Sequence, residues 1–339
     1  MKHDMSKRLW AAVSVLLPLS VAALVLGVAA GSTGFRFEQL PLLFDPYAND
    51  TAALILKNIR LPRALLSYLV GGGLAVAGCC LQGVFKNPMA DSHILGVTSG
   101  AGFGAAVAMS FGISASVLGL GSIAVCAFIG GITCVIIVCA VSRVNARTSI
   151  AALLLAGIAA SALFSALTSG VMLLNRDKME KVLLWTMGSF ASAEFTRLIF
   201  AAATVVPSSL ICMFFARQLN IMLLGEEDAR LLGVDTARVT RVLLALTTLI
   251  AAASVAVAGI IGFVGLMVPH ILRLITGPDH RVLLPSSFLG GGVFLCLADM
   301  LSRSVAPPLE IPVGVLSAVC GVPFFFYLLR RRNGGRGRA

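Results

Sequence analysis

The run Gly225-Glu226-Glu227-Asp228-Ala229-Arg230-Leu231-Leu232-Gly233 sets three carboxylates in a row between long apolar stretches. Read by itself it is a solvated, glycine-hinged connector. Elsewhere the patterns that carry catalysis are missing. No G-x-x-x-x-G-K-[ST] occurs, and none of the lysines (Lys2, Lys7, Lys57, Lys86, Lys178, Lys181) follows a glycine. The chain therefore has no phosphate-cradling loop of its own. A nucleophile elbow and an H-E-x-x-H pair are also absent. The cysteines Cys79, Cys80, Cys126, Cys134, Cys139, Cys212, Cys296 and Cys320 all lie in apolar runs without C-x-x-C spacing. Neither zinc nor a disulfide is implied; buried small side chains suffice.

Asp299 is the one acidic residue well inside an apolar run, and Arg273 sits in the run before it. Each is costly alone in hydrocarbon, by roughly 2.5–3.5 kcal/mol. Their neighbouring spans predict a structural pair, Arg273 with Asp299. Proton-coupled carriers generally need more intramembrane ionisable groups, so an ion-coupled secondary transporter is the weaker alternative.

These residues stand in a chain that is 58% hydrophobic and 12% charged, with mean hydropathy +0.97. A soluble protein carries about a quarter charged residues. The apolar residues come in runs near the ~20 residues that a helical span needs. Nine are long: Leu9–Gly31, Ala64–Val84, Ile94–Phe111, Val117–Val141, Ile150–Leu174, Leu198–Phe215, Val242–Ile261, Leu283–Leu301 and Pro312–Leu329. A shorter one, Gly262–Ile275, is broken by Pro269 and carries His270 and Arg273. The fold class is all-α, a polytopic membrane protein, read as a single transmembrane domain over 1–339.

Lys and Arg favour cytoplasmic loops. If the short run crosses, there are ten spans with both termini inside. The inner segments then hold Lys2, Lys7, Arg8, Lys86, Arg143, Arg147, Arg217, Arg230, Arg238, Arg241, Arg281, Arg330, Arg331, Arg332, Arg336 and Arg338, which is 16 of the 26 basic residues. A re-entrant short run would face the arginine tail outward. Leu9–Gly31 reads as the first span, being too long for a signal-peptide core of 7–15 residues. The net charge of +11 flanks spans rather than forming one basic face, so nucleic acid is not implied.

Small residues let helices approach closely in lipid, which is the reading for Gly71, Gly72, Gly73, Gly78 and Gly83 on one span and Gly100, Gly102 and Gly104 on the next. Ala75-Val76-Ala77-Gly78 and Ala256-Val257-Ala258-Gly259 are each followed by a proline, Pro88 and Pro269, at the same interval. On spans of opposite direction this echo suits an inverted repeat. The outer loop 175–197 opens with an amphipathic stretch, Asn175–Trp185, whose Trp185 suits the headgroup region. The 32–63 loop is also outside, and 217–241 is the inner charged loop.

Several stretches resemble the FecCD-type permeases of importers for ferric siderophores, haem and cobalamin. They are Arg60-Leu61-Pro62-Arg63, LQGVFKNPMAD (Leu81–Asp91) with ILGVTSGA (Ile94–Ala101), LGEEDARLLGV (Leu224–Val234), GFVGLMVPHILR (Gly262–Arg273) running to DHRVLLP (Asp279–Pro285), and Glu310-Ile311-Pro312-Val313-Gly314. The blocks follow family order across nearly the whole chain. The resemblance implies ten helices per subunit in the type II ABC importer architecture, and a homodimer enclosing a central path. Two cytoplasmic ATPase subunits would carry ATP and Mg, with no cofactor on this chain, and an extracytoplasmic binding protein would deliver cargo. The chain itself would be a transport subunit of the inner membrane and no enzyme.

The resemblance also assigns residues. Glu226, Glu227, Asp228, Ala229 and Gly233 look like the ATPase-coupling motif, with Asp228 where a small residue is common. Two short cytoplasmic helices joined near Gly233 would act as levers. Asn87, Pro88 and Met89 look like part of a cytoplasmic gate, with Thr148 and Ser149 as further candidates for it. There Pro88 would end the helix by removing a donor. Arg60, Arg63 and Arg303, at outer ends of spans, would dock the binding protein. Ferric siderophore or haem is the first cargo expected, and cobalamin the alternative.

Overall fold

The computed structural model describes residues 2–336 apart from 32–36, 44, 46–49, 115, 118, 145–146, 149 and 308. Each apolar run forms a helix: α1 Lys2–Ala29, α2 Leu61–Val84, α3 Val97–Ser110, α4 Ser122–Val141, α5 Ile150–Leu174, α6 Phe195–Phe214, α7 Thr236–Ala258, α8 Val264–Thr276, α9 His280–Ser304 and α10 Val313–Arg336. Seven, all but α3, α8 and α10, are long and apolar enough to cross a membrane, and those three are shorter apolar helices among the described residues. Prolines lie inside α1 (Pro18), α6 (Pro207) and α9 (Pro285), each removing one donor from its helix.

Helix α2 is the axis of the bundle. Its most apolar window is 89% buried, against 22% for α1 and for α5. Glycine makes this possible. Gly71 of α2 and Gly291 of α9 face each other so closely that a Cβ on either would overlap the other's backbone, and Gly100 of α3 and Gly130 of α4 do the same. The helical segment before α2 also starts earlier than the apolar run suggests. Asp50 caps it by accepting from Ala53 N at 2.9 Å, and Thr51–Ile55 runs through a wide turn, Leu56–Arg60, into α2.

Helices α3 and α8 have 14 and 13 residues, about 20 Å at 1.5 Å per residue, short of a ~30 Å hydrocarbon core. Both begin at breaks. Gly96 (φ +77°) precedes α3, and Phe263 (φ +67°), an unusual residue for that region, precedes α8. His93 Nε2 lies 3.3 Å from the Ile261 carbonyl and Nδ1 3.2 Å from Thr98 Oγ1, so the two helix starts are joined through one imidazole. The tetrapeptide echo does not survive locally. Gly78 is interior to α2 while Gly259 (φ +71°) ends α7, and Pro88 lies in a turn while Pro269 lies inside α8. Two antiparallel strand pairs complete the connections, Ser116–Val117 with Leu120–Gly121 and Arg143–Val144 with Arg147–Thr148. The predicted amphipathic stretch forms a turn at Arg176–Lys178 and a helix at Met179–Thr186. Its Trp185 packs on the Ala101, Ala105 and Val255 cluster, so it serves packing between helices.

Candidate functional site

The charged run folds as a helix, Glu226–Leu231, preceded by another short one, Ala216–Met222, that follows directly on α6. Sequence reasoning set the joint of two short helices near Gly233. The structure sets it at Gly225 (φ 142°, ψ 163°), a region essentially open to glycine alone. Gly233 (φ +80°) makes the next bend, into α7. Glu226, Glu227 and Asp228 fill the first turn of the second helix, where carboxylates meet its positive end. Asp228 is exposed, which explains how an acid stands in a place that usually takes a small residue. Ala229 is fully buried, and its carbonyl accepts from Val234 N at 2.9 Å, pinning the helix from beneath.

Three leucines beside these acids face solvent: Leu224 is 62% exposed, Leu231 86% and Leu232 60%. A groove of about 400 Å³ runs behind them, lined by Phe215, Ile221, Leu232, Val234 and Arg238 among others. An apolar tip ringed by carboxylates, held off the bundle on glycine joints, suits a protein partner better than a small ligand.

In the Asn87–Met89 turn, Asn87 and Pro88 are exposed, and Asn87 Oδ1 accepts from Met89 N at 3.0 Å. Helix α2 has already ended at Val84, with Lys86 at φ +49°. Pro88 therefore lies beyond the stop rather than causing it. Thr148 lies on the short strand Arg147–Thr148, and Ser149 is outside the described residues.

At the other end of α2 the arginines are inside the protein. Arg63 is 5% exposed. Its guanidinium bonds both Asp299 oxygens at 2.9–3.1 Å and both Glu310 oxygens at 2.9–3.0 Å. Arg303 lies 3.4 Å from Asp299 and donates to the Ala30 carbonyl at 2.8 Å and to the Gly27 carbonyl. Arg60 donates to the carbonyls of Val28 and Ala29. Two expectations are corrected here. Asp299 pairs with Arg63 and Arg303, not with Arg273, because α2 lies directly against α9. And Arg60, Arg63 and Arg303 are not a free docking surface: they satisfy the carbonyl end of α1 and the carboxylates of α9 and of the segment before α10. Glu310 is the partner that sequence reasoning missed, although it heads the block Glu310–Gly314.

A second groove, about 710 Å³, lies along α10. Val315, Ala318, Val319 and Val322 line it from α10, and His93, Met187, Ile260, Gly262 and Phe263 from the breaks opposite. It is an apolar path past the breaks before α3 and α8. Among the described residues no cluster of three His, Cys, Asp or Glu could hold a metal ion.

A helical bundle with two short helices starting at breaks, an apolar groove and an exposed charged helix at one end suits a membrane transport protein. Residues 18–331 match the FecCD transport family, and the chain belongs to that family. It is 44% identical over 284 residues to the cobalamin import system permease protein BtuC of Halobacterium salinarum, covering 84% of this chain and 75% of that one. It is 39% identical over 318 residues to the hemin transport system permease protein HmuU of Yersinia pestis, covering 93% and 95%. A solved inward-facing structure of a metal-chelate type ABC transporter superposes with a TM-score of 0.84 at 32% identity, covering 94% of this chain and 98% of that one. The chain is thus the membrane permease of an ABC importer, a transport component whose ATPase is a separate subunit.

Proposed function

We propose that two copies of this chain enclose a path for a metal chelate, haem or a ferric siderophore, across the inner membrane. The observation that carries the coupling is the helix Glu226–Leu231, with its carboxylate turn and a Leu231 that is 86% exposed. It seats in a cleft of a cytoplasmic ATPase that binds ATP and Mg, one on each copy. Both termini of the chain then lie on the cytoplasmic side. ATP-driven closure of the ATPases moves the lever, and the Asn87-Pro88-Met89 turn with Thr148 and Ser149 gates the cytoplasmic mouth. An extracytoplasmic binding protein delivers the cargo at the opposite face.

Cobalamin is the second reading, favoured by the 44% identity to a cobalamin import permease; the near full-length match to a hemin permease favours haem. The test is uptake into proteoliposomes holding the permease, its ATPase and its binding protein, with haem, a ferric siderophore and cobalamin in parallel. ATP-dependent accumulation of haem or siderophore supports the first reading, and accumulation of cobalamin alone replaces it. Uptake driven by an ion gradient without the ATPase overturns the coupling.

A further inference from the structure

The short helix Ala216–Met222 buries Ala216, Leu219 and Met222 in the core, and one polar side chain ties it to the next turn of the bundle. Asn220 Nδ2 donates to Asp279 Oδ1 at 2.6 Å. Its Oδ1 accepts from the His280 backbone N–H at 2.9 Å and lies 2.8 Å from His280 Nδ1. Asp279 can only accept and the His280 N–H can only donate, so the amide orientation is fixed and Nδ1 carries the imidazole proton. The same Asp279 oxygen accepts from Arg281 N at 2.9 Å and caps α9. His280 is 2% exposed, and its Nε2, which has no hydrogen-bond partner among the described residues, packs beside Gly83 in the last turn of α2. Three hydrogen bonds at one amide thus tie the segment before the lever to the α8–α9 turn, and His280 in turn packs against the end of α2.

On either side of the lever the chain bends at glycine, Gly225 and Gly233. A displacement of Glu226–Leu231 would dissipate at those joints, but the lever packs directly on Ala216–Met222, with its Ala229 buried. The Asn220 clamp passes that movement on, because α9 continues from it along α2 through the Gly71–Gly291 contact. We propose that Asn220 is the positioning residue that transmits lever movement to α9 and α2, by holding Asp279 and His280. The inference rests on the coupling reading above. The exposed turn at Asn87 does not lie on this route.

The clamp is tested in the complete importer, with its ATPase and binding protein, by a spin label at Leu301→Cys. That site is 47% exposed near the far end of α9, and the exposed Cys320 is replaced by Ser. In Asn220→Ala the ATPase co-purifies as before and basal hydrolysis persists, while the ATP-driven shift of the label falls about tenfold, a coupling loss of ordinary allosteric size. Asn220→Asp loses it too, since two carboxylates then oppose each other. The exchange Asn220→Asp with Asp279→Asn restores it. The asparagine at 279 donates to the aspartate at 220 and still caps α9. A full label response in Asn220→Ala, a double variant no better than Asn220→Asp, or loss of the ATPase from Asn220→Ala each overturns the proposal. The coupling reading has its own arm. Wild-type ATPase co-purification by Leu231→Asp sinks that reading first, whatever Asn220 does.

Discussion

Arg63 and Asp299 meet 236 residues apart in sequence as a bidentate ion pair, with side chains 7% and 0% exposed. Removing one partner of a buried pair strands the other charge, at about 3–5 kcal/mol. Asp299→Asn is worse placed than most, because Arg303 also leans on that carboxylate. Thermal unfolding of the detergent-solubilised permease should show this loss. Glu310→Gln should cost less than about 1 kcal/mol, since Glu310 is 40% exposed and water screens its share. Equal losses in the two variants would place the network's weight on the wrong carboxylate.

A double-mutant cycle separates the true partner from the one that neighbouring spans suggest. Arg63→Gln with Asp299→Asn should cost clearly less than the two singles summed. Arg273→Gln with Asp299→Asn should add within about 0.5 kcal/mol, as unconnected sites do. Coupling in the second cycle and none in the first would restore the Arg273 pairing.

Charge reversal of the buried arginines should act on folding before any partner is present. Arg60→Glu, Arg63→Glu and Arg303→Glu each point a carboxylate at backbone carbonyls or at existing acids. Size-exclusion chromatography of the permease alone should show reduced folded yield for all three. Three well-folded variants that lose only the binding protein would return these arginines to a docking role.

The helices were legible because burial in lipid demands long apolar runs, and each run did become a helix. The charged connector that forms the helix Glu226–Leu231 was legible because a charged, glycine-bounded stretch has nowhere to go but outside the bilayer. Side-chain partners were not. Asp299 was matched to Arg273 by order along the chain, whereas its real neighbour is set by which helices touch. That depends on Gly71 meeting Gly291, a relation between two ordinary-looking glycines among many. The role of Asn220 was equally hidden, since an asparagine in a polar loop announces nothing until the α8–α9 turn arrives beside it.

Those glycines make a prediction of their own. A Cβ at Gly71 would overlap the Gly291 backbone, which cannot yield as a flexible side-chain tip would. Gly71→Val should therefore force α2 and α9 apart, with a loss of several kcal/mol, above the 1–3 kcal/mol usual for overpacking. Gly170 of α5 has nothing within 4 Å, and Gly170→Ala should leave the subunit's unfolding temperature the same or higher, as alanine favours helix. Unfolding scans of the two variants side by side decide it; a Gly71→Val protein as stable as wild type would mean the helices do not meet there.

The two joints of the lever differ in what they tolerate, and transport should report the difference. Gly233, at φ +80° with no atom near a built Cβ, needs only a left-handed residue, and asparagine adopts that region routinely. Gly233→Asn should therefore transport nearly normally. Gly233→Pro cannot comply: proline fixes φ near −65° and removes the N–H that donates to the Arg230 carbonyl at 2.9 Å. It should insert and fold, because the site lies outside every apolar helix, yet lose ATP-driven uptake. Gly225, at φ 142° and ψ 163°, is stricter. Even Gly225→Ala meets a strain of about 1–3 kcal/mol, which the short helix Glu226–Leu231 relieves by swinging away from its seat. Uptake by Gly225→Ala should fall well below that of Gly233→Asn at equal expression. The reverse order would mean that the lever turns on Gly233 after all, as the bare sequence suggests.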